Sequence, residues 1–190
     1  MCCKLVLMAI VKRVKAEIKD DTCLAVPTVV RKQSMHDELV LRAEKWLKSQ
    51  NCQVVIRDPF RSWNREQPDA IGWRSDVSIL VEVKVSRADF LADAKKHFRV
   101  NPDTGMGDWR FYLSPPGIVN PEDLPEGWGL LWAYAKQIKK VQGVPPNSRW
   151  SLGKPYRGNK DAENTMLVSA LRRLTHRGYL PEIYDGPQSR

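Results

Sequence analysis

The sequence predicts an α/β domain built around a mixed sheet. Three observations predict it. Residues Ser34 to Gln50 carry apolar side chains at helical spacing. Residues Val77 to Ser86 alternate β-branched and other residues with a period of two. Arg87 to Val100 returns to helical spacing and is followed by further short apolar runs, each ended by turn residues. Helices interleaved with strands in this way bury their faces by packing helices on a sheet.

The 190 residues suit one domain with extensions. They divide as an N-terminal extension over 1–33, a core over 34–146 and a basic C-terminal extension over 147–190 with one helix. Leu5 to Val11 is apolar but flanked by lysines, lacks a small-residue cleavage site and falls short of the about 18 residues a membrane span needs. The expectation is a cytoplasmic chain with no membrane partner. Cys2, Cys3, Cys23 and Cys52 have no zinc-site spacing and read as reduced thiols.

Within the core, Ser34 can cap the first helix with Asp37 three residues on. Leu39, Val40, Ala43, Trp46 and Leu47 form its apolar face, and His36 falls on that face as a core histidine. Gln53 to Ile56 reads as a first strand and Arg57 to Gln67 as a polar loop. Pro68 to Trp73 is a second strand. Arg74-Ser75-Asp76 is a turn, and Val77 to Ser86 is the third strand. Arg87 to Val100 is a single helix capped by Ser86, with Phe90, Leu91, Ala94 and Phe98 on its apolar side. Asn101 to Asp108 is a loop and Trp109 to Leu113 a fourth strand. Trp128 to Tyr134 and Gln137 to Val141 form a last hairpin. Residues 148–160 are a basic loop. Asp161 to Arg177 is a helix with Leu167, Ala170, Leu171 and Leu174 on one face.

The chemistry concentrates between Pro68 and Ser86. Residues two apart on a strand share a face, so Glu82 and Lys84 stand side by side while Val83 points into the core. Charges on an otherwise apolar strand carry a desolvation cost and need a partner or a task. Pairing across the turn brings Asp69, at the head of the second strand, level with Glu82 or nearby. Asp76 is a rival acid but sits in the turn itself. Asp69 and Glu82 can supply carboxylates to Mg²⁺ or Mn²⁺, and the Val83 carbonyl a further oxygen. Lys84 can then hold the attacking water or stabilise charge on a phosphate.

Pro68-Asp69 followed by Glu82-Val83-Lys84 resembles the PD-(D/E)XK phosphodiesterase superfamily, which includes Holliday-junction resolvases, VRR-type nucleases and many restriction enzymes. The resemblance covers roughly Ser34 to Tyr134. It implies a restriction-endonuclease-like αβββαβ core, Asp69 and Glu82 as Mg²⁺ ligands, and Lys84 as the catalytic lysine. It also implies DNA as substrate ahead of RNA, and a homodimer where both strands are cut. In resolvase-like members a glutamate on the first helix joins the metal site, and Glu38 stands at a similar place. The alternative for Glu38 is a helix N-terminal carboxylate favoured by the dipole. The segment from Ser86 to Arg99 is similar to phage and prophage nuclease-like proteins.

The charge distribution agrees with a polyanionic partner. Residues 1–33 carry seven Lys/Arg against three Asp/Glu and residues 136–190 eleven against four, while 34–135 carry thirteen against fifteen. The net charge of +9 therefore lies on the flanks of a nearly neutral core. The expected nucleic-acid contacts are Arg61, Arg65, Arg87, Lys95, Arg149, Lys154, Arg157, Arg172 and Arg173, with Phe60 and Trp63 interleaved near the first of them. Two other readings stay open: a nucleic-acid- or protein-binding protein on a nuclease scaffold, and a structural Glu82–Lys84 pair on a solvent-facing strand.

Overall fold

The computed structural model describes residues 34–184, so the extension expected over 1–33 lies outside the described residues. Ser34 caps helix α1 (Met35–Ser49). Its hydroxyl accepts the Asp37 amide at 3.1 Å, and the Asp37 carboxylate accepts the Ser34 amide at 3.2 Å. This reciprocal box satisfies two amides the helix itself leaves unpaired.

Six strands follow: β1 (Val54–Arg57), β2 (Ala70–Arg74), β3 (Val77–Val83), β4 (Trp109–Ser114), β5 (Trp128–Ala133) and β6 (Ile138–Gln142). They pair in sequence order as one mixed sheet. β1, β2 and β3 form an antiparallel meander, β4 and β5 run parallel to β3, and β6 returns antiparallel. The architecture is α/β, with helices on both faces of the sheet.

β3 is the organising strand, buried at all seven positions. It has neighbours on both edges and helices over both faces, which explains its nearly unbroken apolar sequence. Val77, Ile79, Val81 and Val83 pack under Leu39, Val40, Ala43, Trp46 and Leu47 of α1. Leu80 faces the other way and packs with Ile71, Phe90, Tyr112, Leu130 and Met166. Val83 therefore points into the core, as the alternation requires.

Two helices differ from expectation. The segment Arg87 to Val100 is two helices, α2 (Arg87–Asp93) and α3 (His97–Val100), with extended backbone at Lys96 between them. Phe90 and Asp93 are buried, whereas Leu91 and Ala94 are exposed. The break lies just beyond Asp93, whose carboxylate is held inward by ion pairs described below.

The C-terminal helix α4 (Lys160–His176) buries Glu163 and Met166, not the face carrying Leu167, Ala170, Leu171 and Leu174. The cause is a long-range polar network. The Glu163 carboxylate accepts from Ser78 Oγ at 2.7 Å, the Gly107 amide at 2.9 Å and Trp73 Nε1 at 3.2 Å. Lys160 reaches Asp108 at 2.8 Å and Glu163 at 3.1 Å. A buried carboxylate with this many donors is satisfied, so α4 docks through a charge while part of its leucine stripe faces solvent. The loop before α4 is also anchored: Trp150 is buried, and its carbonyl accepts the Trp109 indole N–H at 2.9 Å.

Two expectations follow from the packing. At Gly129 a Cβ would meet the Phe111 ring at 2.2 Å and the Gln142 carbonyl at 2.9 Å. Gly129→Ala should cost about 1–3 kcal/mol in urea unfolding, the range for overpacking a tight core.

Cys52 lies beneath α1, and burial pushes its thiol up to about 11. Because the folded pKa is raised, the thiol's contribution to stability is complete below the unfolded value near 9 and is lost as pH climbs through 11. The thiolate is the reactive form. Peptide-mapped alkylation at neutral pH should leave Cys52 unlabelled until the protein is unfolded. Among the described residues no helix is long and apolar enough to cross a membrane.

Candidate active site

The Asp69 to Lys84 neighbourhood is set by strand register. β2 and β3 pair with Ala70 opposite Val81 and Ile71 opposite Leu80. Continuing that register by one residue places Asp69 opposite Glu82, on the sheet face shared with Leu80. The Asp69 carboxylate Oδ2 accepts the Val83 amide at 2.7 Å, and Oδ1 lies 3.3 Å from His36 Nε2. The Asp69 carbonyl accepts the Asp58 amide at 2.9 Å, which pins the base of the preceding loop.

Glu82 and Lys84 share a face, as the alternation predicts, with Lys84 Nζ 3.4 Å from Glu82 Oε2. The structure adds partners that local reasoning missed. Lys84 Nζ is also 3.4 Å from Asp93 Oδ1 and 4.0 Å from Asp89 Oδ1. Arg99 bridges three acids. Its guanidinium lies 3.1 Å from Glu82, 2.8 Å from Asp93 and 2.6 Å from Glu66. Tyr112 donates its hydroxyl to Asp93 at 3.0 Å, and Lys96 reaches Asp93 at 2.6 Å. One signal for Asp93 was present in the sequence: it follows Phe90 by three residues, so both lie on the same helix face. No local signal marks Arg99, which reads as an ordinary basic helix end.

Glu82 is 3 % exposed and Lys84 2 %. Asp69 is less enclosed, with 18 % of its side chain exposed, and His36 is about a third exposed. The electrostatics follow this placement. Burial raises the Glu82 carboxyl to about 7; Asp69 adds to the rise, and Arg99 and Lys84 oppose it. Burial works against charge on Lys84, yet Glu82, Asp93, Asp89 and Asp69 hold its ammonium above the ordinary value. Burial also opposes charge on Arg99, but Glu82, Glu66 and Asp93 keep it firmly cationic. For Asp93, burial pushes upward and is outweighed by Arg99 and Lys84, so it stays ionised well below the usual range. His36 is raised chiefly by its hydrogen bond with Asp69, against burial.

The donor set bears on a metal in two ways. Glu66, Asp69, Glu82, Asp89 and Asp93 are five acids against the cations Lys84, Lys96 and Arg99, an excess of two negative charges when every acid is ionised and His36 is neutral. Asp69 and Glu82 are hard-oxygen groups of the kind Mg²⁺ prefers, which takes one or two protein carboxylates and leaves its other positions to water and phosphate. Among the described residues no three His, Cys, Asp or Glu side chains converge as a ready-made cage. These residues could offer such a cation at most one or two carboxylates.

The remaining candidates fall in several places. Glu38 is exposed on the first turn of α1; the residue that α1 sends to Asp69 is His36. Asp76 sits in the β2–β3 turn and pairs with Lys154 at 3.2 Å, at the other end of β3 from Glu82. The Val83 amide is used by Asp69. Arg87 is neutralised by a two-pronged pair with Asp123 and lies over the Phe90 ring. Arg65, Lys95, Arg149 and Arg157 are exposed. Arg61 comes together with Arg172 and Arg173, more than a hundred residues further along the chain, around one cavity of about 450 Å³.

No family model matches the chain, and no curated protein matches it. A solved structure, that of a protein of unknown function from Silicibacter pomeroyi, is similar at 23 % identity with a TM-score of 0.47. The match covers 78 % of this chain and 92 % of that one. A likeness that distant leaves function to be argued from this chain's own residues.

Proposed function

We propose that the protein is a metal-dependent phosphodiesterase, and more specifically a PD-(D/E)XK-type nuclease acting on DNA. The observation that carries this reading is Asp69, immediately before β2, at the register position opposite Glu82 of β3, with the Lys84 ammonium beside Glu82. The element order agrees with it: a helix, an antiparallel three-strand meander, a helical segment, and a strand parallel to the third, in keeping with a restriction-endonuclease-like core.

The residues divide the chemistry among them. Asp69 and Glu82 would hold the Mg²⁺ or Mn²⁺, with the Val83 carbonyl as a further oxygen. Such a cation, when bound, polarises a phosphoryl oxygen and lowers the pKa of water. Lys84 stays charged and can orient the attacking water or stabilise charge developing on the phosphate. Burial opposes ionisation of Glu82, so binding a cation there would release a proton and activity should rise toward alkaline pH. His36 holds Asp69 in orientation from α1.

A second reading is favoured by the near-complete burial of Glu82 and Lys84: the scaffold binds nucleic acid or protein, and the ion cluster is structural. The discriminating experiment is cleavage of single-stranded, duplex and branched DNA with and without Mg²⁺, by wild type and Glu82→Ala. The nuclease reading expects metal-dependent cleavage by wild type alone. Binding without turnover on any substrate supports the second reading.

A further inference from the structure

Trp63 is 93 % exposed, the most exposed large apolar side chain among the described residues. An aromatic ring left in water forgoes a large burial gain. A flexible loop would let it fold back, but this loop is braced on either side of the ring. Gln67 accepts the Ser62 amide at 3.1 Å and donates to the Ser62 carbonyl at 2.9 Å and the Asn64 carbonyl at 2.6 Å. Asn64 donates to the Ala162 carbonyl of α4 at 2.7 Å. From the other side, Arg173 of α4 donates to the Arg61 carbonyl at 2.5 Å and lies 4.0 Å over the Phe60 ring.

Loop and helix are thus held together as two walls. Between them is the cavity lined by Arg61, Trp63, Arg172, Arg173 and His176, with Ser62 and Ser169. Arg61 is balanced by Asp58; for Arg172 and Arg173 no acidic partner occurs among the described residues. A presented ring beside unneutralised guanidinium groups answers two features of one ligand, a base with an exposed face and a phosphate next to it. A duplex hides its base faces in the stack; a single strand offers them.

We infer that the groove between residues 60–64 and α4 binds single-stranded DNA, with Trp63 stacking on an unpaired base and Arg172 taking a backbone phosphate. The same loop runs on to Asp69, so a strand held here is led toward the candidate active site. That last step rests on the phosphodiesterase reading; the binding itself does not.

The test is fluorescence anisotropy of full-length protein in EDTA, so that no cleavage is needed, with a labelled oligothymidylate and a duplex of equal length. Wild type should prefer the single strand. Trp63→Ala should weaken that binding about tenfold or more and leave duplex binding nearly unchanged, while Trp63→Phe keeps most of it. Arg172→Gln should flatten the salt dependence by about one phosphate contact. Equal affinity for both DNAs, or unchanged single-strand affinity in Trp63→Ala, overturns the inference. If binding behaves as expected but no substrate is cut in Mg²⁺, the groove stands and the nuclease reading fails. If DNA is cut but Trp63→Ala binds like wild type, the reverse holds.

Discussion

Replacing Lys84 by methionine should lower kcat/KM for DNA cleavage by about 10²–10⁴-fold. The ammonium lies 3.4 Å from Glu82 and from Asp93, and four acids keep it charged despite burial. In the proposed reaction it is the group that meets the water or the scissile phosphate, and methionine fills its volume without its charge. Loss of the charge also strands part of Glu82 and Asp93, so the melting temperature must be read alongside the rate. Lys84→Arg separates the two effects. It retains the charge and most of the stability, but a planar guanidinium does not reproduce a compact ammonium. Activity should therefore stay low while the fold recovers. If Lys84→Arg restores both, the positive charge alone suffices; if Lys84→Met cuts DNA at the wild-type rate, Lys84 has no role in the chemistry.

Arg99→Leu should be the most destabilising single substitution in the cluster, at about 3–5 kcal/mol in urea unfolding. Its guanidinium is 3 % exposed and satisfies Glu66, Glu82 and Asp93 at once. Leucine leaves three buried carboxylates close together with Lys84 and Lys96 as their remaining cations. On the proposed metal site, the effect should also have a metal-dependent component that a purely structural cluster would lack. A divalent ion at Asp69 and Glu82 would replace part of the missing charge, and any ligand of the folded state alone stabilises it by mass action. Millimolar Mg²⁺ should thus raise the variant's unfolding midpoint more than the wild type's. Equal shifts in both proteins would separate Arg99 from the metal site and leave it a structural ion pair.

Much of this site can be read from local sequence, because local rules govern it. Ser34 and Asp37 form their box within four residues. Alternation from Val77 to Val83 decides which residues face α1, and with the tight turn after Arg74 it sets Asp69 across from Glu82. What escaped is what local windows cannot contain. Arg99 neutralises Glu66 from 33 positions away, and Glu163 docks α4 on Ser78 from 85 positions away. For that reason a helix whose leucines pointed to one buried face is docked by a glutamate. The helix read as continuous from Arg87 breaks after Asp93, where long-range ion pairs outweigh local propensity. The groove beside Trp63 was legible as residues but not as a place, since Arg61 and Arg173 meet only once α4 has docked.

Calorimetric titration of Mn²⁺ into the metal-free protein bears most directly on the shared-cation site. The account predicts saturable binding that is lost in Asp69→Asn and in Glu82→Gln, each checked to remain folded, and kept in Asp76→Asn. Absence of binding to wild type, or binding that both substitutions leave intact, would contradict it.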